Sequence, residues 1–245
     1  MIFEFPSEDD WQRISCTFPF KEINIPINSF CQDETASNDS ELLFTNSELE
    51  EWTIHLINRL YDVHMSYVML CFYFEKGIPD EEWCIPPRQN GESVQYFPHF
   101  TQYHFQIKSW FDYYVDTFYY KLFSALDTIG QILNIKYNLG IKKPDLGNVM
   151  KKLENMHPDI HNELKQLKDN PAFKEAKKLR NDITHNLSPS SISGNITKFQ
   201  DATALSVGEY VPSATIQQNV IDVLYVFVEF LNYVKGDEKQ SFAQR

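Results

Sequence analysis

Three long stretches of this chain place apolar residues at every third or fourth position, and that rhythm narrows the fold more than anything else in the sequence. In the first, Leu49, Trp52, Leu56, Leu60, Val63, Tyr67, Leu70 and Phe74 keep one face apolar for about seven turns at 3.6 residues each. The second carries Ile107, Phe111, Tyr114, Phe118, Leu122, Ala125, Ile129 and Ile132, and the third Ile216, Val220, Val223, Phe227, Phe230 and Val234. A strand alternates with period two, so these are helices, and stripes this long must be buried against one another. The expected fold is an all-α, antiparallel helical bundle. No internal repeat supports a solenoid.

Punctuation between the stripes sets the boundaries. Ser47 opens S-E-L-E, a capping-box start, and Gly77 and Pro79 end the helix, which predicts a span of 47–76. Before it, residues 1–45 mix Pro, Asp, Ser, Asn and Phe without periodicity. They read as an irregular arm anchored by Trp11, Phe18, Phe20 and Phe30, with a mobile loop from Asp33 to Glu41. From Ile78 to Phe100 four prolines make a connector, with a tight turn at Asn90-Gly91. Around the second stripe, Trp110, Tyr113, Tyr119 and Tyr120 widen the aromatic surface enough to require neighbours on more than one side.

Asn138-Leu139-Gly140 and Pro144 break the chain, and Asp145 caps a short helix carrying Leu146, Val149, Met150 and Leu153. Pro158 opens another segment to Lys168. Residues 188–212 read as an inserted loop with a short hairpin around Ile196 to Tyr210, either a lid beside the polar group or plain disorder. Ser213 is the expected cap of the last helix. The predicted organisation is an N-terminal extension over 1–100, a helical domain over 101–235 and a disordered tail over 236–245.

Composition removes several function classes. The chain has 245 residues, 42% hydrophobic, with a formal net charge of −12, which disfavours indiscriminate adhesion to phosphate backbones. The charge is uneven: from Lys136 to Arg180 eleven Lys/Arg face six Asp/Glu, a balance of +5 that leaves −17 elsewhere. The four cysteines, 16, 31, 71 and 84, form no C-x-x-C pair, and a reducing cytoplasm is the expected compartment. The acidic start MIFEFPSEDDWQR does not read as a leader, and the apolar run from Met65 to Phe74 is too short to span a bilayer. Pro158 separates His157 from His161, and no H-E-x-x-H or Cys partner completes a metal site. His55, His64, His99 and His104 read as hydrogen-bonded structural residues, and Cys71 as core. No P-loop or nucleophile elbow is present, so neither a metal nor a cofactor is expected.

One stretch carries chemistry. In NPAFKEAKKLRNDITHNL, Asn170 to Leu187, Asn170 and Pro171 form a helix start, and Phe173, Ala176, Leu179, Ile183 and Leu187 form an apolar stripe. Asn181 and His185 are four apart and so lie one above the other, with Arg180 beside them. A permanent cation, an amide and an imidazole thus share one helix end. Asp182 and Thr184 are lesser candidates, the first a solvated surface carboxylate and the second a hydroxyl bonding a carbonyl one turn back.

Arg180, Asn181 and His185 within LRNDITHNL resemble the R-x(4–6)-H motif of the HEPN superfamily, in which Asn often follows the Arg. The resemblance covers Tyr103 to Val234, and the preceding long helix and aromatic arm look like those of bacterial HEPN-like proteins. It implies a helical bundle that pairs two-fold, bringing two motifs into one cleft. It also implies two alternatives for function. The first is a metal-independent endoribonuclease of a toxin–antitoxin or defence system, with Arg180, Asn181 and His185 as catalytic residues and 2′,3′-cyclic phosphate ends as product. The second is a catalytically inactive module that binds RNA, a nucleotide or a protein partner; the partners implied are a second copy, RNA or a nucleotide, and an antitoxin or other protein. The motif's residue types suit the first: an imidazole can accept or donate a proton near neutral pH, and a guanidinium can stabilise a charged phosphorane.

Overall fold

The computed structural model describes residues 3–19, 25–32, 40–87, 93–186, 188–192, 194–198, 203–207 and 210–236. In chain order the helices are α1 (Glu8–Ser15), α2 (Ser40–Glu75), α3 (Gln102–Lys136), α4 (Leu146–Met156), α5 (Pro158–Asp169), α6 (Pro171–His185) and α7 (Ser213–Lys235). Two antiparallel ribbons interrupt them, β1 (Cys84–Ile85) with β2 (Gln95–Tyr96) and β3 (Gly194–Lys198) with β4 (Thr203–Val207). The fold is all-α, as the periodicity requires. The β3–β4 pair is the hairpin expected in the 188–212 insertion.

The body is built on α2 and α3. Phe74 meets Phe111 at 5.9 Å between ring centroids, Asp62 pairs with Lys121 at 2.7 Å, and Arg59 Nη1 donates to the Ser124 carbonyl at 2.6 Å. Partners on α2 descend in number as those on α3 rise, so the two helices are antiparallel. Their stripes are the core: Leu49, Leu56, Leu60, Val63, Tyr67 and Leu70 are buried on α2, and Ile107, Phe111, Phe118, Leu122, Ala125, Ile129 and Ile132 on α3. All six stripe residues of α7 are buried with them. Tyr119 is buried too, but Tyr113 and Tyr120 are 57% and 63% exposed, so part of the aromatic surface of α3 lacks the cover expected for it.

Two elements depart from the sequence reading. The arm is not wholly irregular: Ser7 accepts the Asp10 amide at 3.1 Å while Asp10 accepts the Ser7 amide at 3.3 Å, a capping box that starts α1. Arg13 then grips Glu75 through two bonds of 2.8 and 2.6 Å, fastening α1 to the end of α2. Phe18 and Phe30 anchor the arm as expected and Trp11 packs on the core, whereas Phe20 lies outside the described residues. The second departure is the start of α2, at Ser40 rather than Ser47. Asn46, 4% exposed, exchanges two side-chain hydrogen bonds with the backbone of Gln32 at 2.9 and 3.0 Å. That pairing holds the added turns against the arm, and Ser47 becomes an interior helix residue.

Gly77 ends α2 at φ 85°, a conformation that costs a side-chain-bearing residue energy. Most of the predicted loop from Asp33 to Glu41, the turn at Asn90-Gly91 and residues 237–245 lie outside the described residues. Ser213 does not cap α7 with its own oxygen. It is the first residue of the helix, and its amide and hydroxyl both donate to Asp80 Oδ2, at 3.0 and 2.7 Å. A carboxylate from the connector thus satisfies the helix N-terminus, where negative charge is favoured. Among the described residues, no helix is long and apolar enough to cross a membrane.

Candidate functional site

Helix α6 begins as the sequence dictates: Asn170 Oδ1 accepts the Ala172 amide at 2.9 Å and Pro171 occupies the first position. Phe173, Ala176 and Leu179 are buried, Ile183 packs partly on the core, and Leu187 lies outside the described residues. A buried amide seats the helix. Asn219 of α7 donates to the Ala172 carbonyl at 3.0 Å and accepts the Tyr119 hydroxyl of α3 at 2.8 Å, so one side chain ties three helices together. Phe123 of α3 meets Phe173 at 5.5 Å on the same side.

The seating fixes where Arg180 goes. Its guanidinium carbon is 5.9 Å from the centroid of Phe123, and its Nη1 donates to Asn181 Oδ1 at 3.1 Å. Its Nε is buried with no hydrogen-bond partner among the described residues. Stacking on an aromatic face suits a guanidinium, and an unpaired buried N–H is costly until an acceptor reaches it. His185 is the last residue of α6, exposed, and makes no hydrogen bond to the described residues. The structure therefore joins Arg180 to Asn181 and leaves His185 free one turn further on. The Asn181 carbonyl oxygen faces the arginine rather than the imidazole.

The minor candidates resolve simply. Thr184 donates to the Arg180 carbonyl at 2.7 Å, the bond one turn back that its position suggests. Asp182 accepts the side-chain amide of Asn186 at 2.8 Å while its carbonyl accepts the Asn186 amide at 2.9 Å, closing the helix end. His157 packs on Tyr137 with the rings tilted by 41° and centroids 4.2 Å apart, and His161 Nδ1 lies 3.0 Å from the Met150 carbonyl. His64 bonds Ser15, His99 bonds Glu82 and His104 completes the cap of α3, while His55 packs on Trp52. Among the described residues no group of three His, Cys, Asp or Glu is arranged to hold a metal ion.

Other helices also reach this end of α6: Phe123 of α3 lies under Arg180, and Asp127 of α3 lies within its electrostatic influence. Burial raises the Asp127 carboxyl pKa and Asp145 adds to the rise, while Arg59 and Arg180 pull it back down. Nothing in the sequence links these positions. Beyond α6, the chain is held to the start of α3 by a second polar group. Lys108, 6% exposed, binds both oxygens of Asp112 at 3.0 Å, Ser190 stands beside Asp112 and favours its charged form, and the Val211 amide reaches the Pro189 carbonyl at 2.8 Å. These bonds close the neck of the insertion that carries β3 and β4.

Fold and motif together define an all-helical domain with an Arg-Asn pair and an exposed His at one helix end, and the chain belongs to the HEPN superfamily. Within it, the Cthe2314-like HEPN family matches residues 52–235. The matched span takes in most of α2 and runs to the end of α7. Comparison with curated proteins and with solved structures gives no match.

Proposed function

We propose that this protein is a metal-independent HEPN endoribonuclease that works as a two-fold dimer in a toxin–antitoxin or defence setting. The observation that carries the reading is the end of α6, where a guanidinium held on Phe123 and Asn181 is followed five residues later on the same helix by an imidazole open to solvent. Such a pair suits cleavage of RNA by its own 2′-hydroxyl. One His185 accepts the 2′-hydroxyl proton as the O2′–P bond forms, and the second copy's His185 protonates the 5′-oxygen as the P–O5′ bond breaks. The products are a 2′,3′-cyclic phosphate and a 5′-hydroxyl. Arg180 stabilises the charge that builds on the phosphorane, and Asn181 sets the plane of the guanidinium.

Removing the imidazole tests the assignment. His185 is exposed, so His185→Ala is expected to leave helix content and dimer mass unchanged while lowering RNA cleavage at least about a hundredfold. Full cleavage by that variant contradicts the reading. Saturable RNA binding without cleavage by the wild-type protein supports the inactive HEPN module instead.

A further inference from the structure

A recess of about 500 Å³ opens between the arm, the start of α2 and the end of α3, a volume within the range of small-molecule sites. Its walls are fixed by amides whose hydrogen bonds are spent. Gln32 of the arm exchanges two backbone hydrogen bonds with the Asn46 side chain, and its own side chain donates to the Lys136 carbonyl at 3.0 Å. Asn134 of α3 holds both backbone groups of Ile141, at 3.0 and 3.2 Å, and so pins the turn that follows the helix. In that turn Asn138, which lines the recess, stands at φ 48°, a left-handed conformation that asparagine adopts more readily than most residues. Leu42 and Ile135 add apolar surface.

Against these fixed walls, three polar heads lining the recess are uncommitted among the described residues: the side-chain amides of Gln131 and Asn138 and the carboxylate of Glu48. No lysine or arginine is among the described lining residues, and the nearby Lys136 ammonium lies over the Phe30 ring. A phosphate therefore lacks a counter-charge here. Carboxamides beside apolar surface suit an uncharged flat ring with amide-type edges, and the carboxylate narrows the choice. Among RNA bases, guanine presents two adjacent N–H donors, at N1 and N2, to the two oxygens of one carboxylate, while its O6 and N7 accept from amide N–H groups. We infer that this recess is a guanine-binding site, in which Glu48 accepts from N1–H and N2–H and the Gln131 and Asn138 amides donate to the O6 and N7 edge. The ligand is the base itself, free as a nucleoside or carried in an RNA strand. Gln131 is eight residues beyond Phe123, about 12 Å along α3, so the site is separate from the end of α6 and does not rest on the ribonuclease reading.

The test is calorimetric titration of the full chain, carrying His185→Ala so that RNA survives, with guanosine, inosine and adenosine. A second arm uses a short single-stranded RNA with one guanine and the same RNA with inosine or adenine in its place. Guanosine is expected to bind saturably, inosine about tenfold more weakly because it lacks the 2-amino group, and adenosine more weakly still. Glu48 is exposed, so Glu48→Gln is expected to keep the helix content while weakening guanosine about tenfold and erasing most of its preference over inosine. Binding of guanosine assigns the site to the free base; the same preferences seen with the RNA alone assign it to a base within a strand. Equal binding of guanosine and adenosine, parental guanine affinity in Glu48→Gln, or no binding in either arm overturns the site. None of these results bears on cleavage at His185, which is read by product formation.

Discussion

Asp80 shows how much one side chain can fix. It is 1% exposed, and its Oδ2 accepts the Tyr210 hydroxyl at 2.6 Å together with the amide and hydroxyl of Ser213. Asp80→Ala strands those donors and is expected to cost about 3–5 kcal/mol in urea unfolding. A loss below about 1 kcal/mol contradicts the capping role. Asp116 makes the opposite case. Burial pushes its carboxyl up to about 6 from 3.8, and Asp112 one turn earlier adds repulsion. The native state therefore holds its proton more tightly than the unfolded chain does. Stability falls as pH rises from about 4 to about 6 and stays lowered above that. The residue is only partly covered and the rest of its surface reaches water, which screens the effect to less than about 1 kcal/mol. Asp116→Asn is expected to raise the melting temperature at pH 7.5 and not at pH 4, and a gain of equal size at both contradicts the titration. At this scale the sequence shows Arg180, Asn181 and His185, because neighbours on one helix declare themselves by spacing. Phe123 could not be found that way, since only the packing of α6 on α3 brings it under Arg180.

Helix α6 is legible as an element almost to its last residue. Asn170 and Pro171 start it, the stripe through Leu179 is buried, and Asp145 and Pro158 start α4 and α5 by the same local rules. Asn170→Ala is expected to cost about 1 kcal/mol, measurable as a lowered denaturation midpoint. Asn219→Ala should cost more, about 2–3 kcal/mol, because it leaves the buried Tyr119 hydroxyl without its acceptor and removes the tie to the Ala172 carbonyl. Equal effects from the two variants contradict the account of how α6 is seated. What the local rules missed was the region before Ser47. There the Ser7–Asp10 box makes a helix too short for its apolar periodicity to stand out. The early turns of α2 persist because Asn46 pairs with the backbone of Gln32, a contact that residue spacing cannot reveal.

As a whole, the molecule pairs a strongly acidic chain with a basic stretch around its motif. The +5 balance from Lys136 to Arg180 spans α4 and α5 and reaches the arginine of α6. Such a balance favours an anion beside α4 to α6 and opposes broad adhesion elsewhere, so the affinity for RNA under the proposed function is expected to fall steeply with salt. The membership of the HEPN superfamily and the helical fold are established; the nuclease chemistry is the central claim, and the ends of the product test it most directly. Mass spectrometry of RNA fragments made by the wild-type protein in excess EDTA is predicted to show 2′,3′-cyclic phosphate and 5′-hydroxyl ends, and none from His185→Ala purified in parallel. Fragments ending in 3′-hydroxyl and 5′-phosphate, or equal fragmentation by the variant, would contradict it.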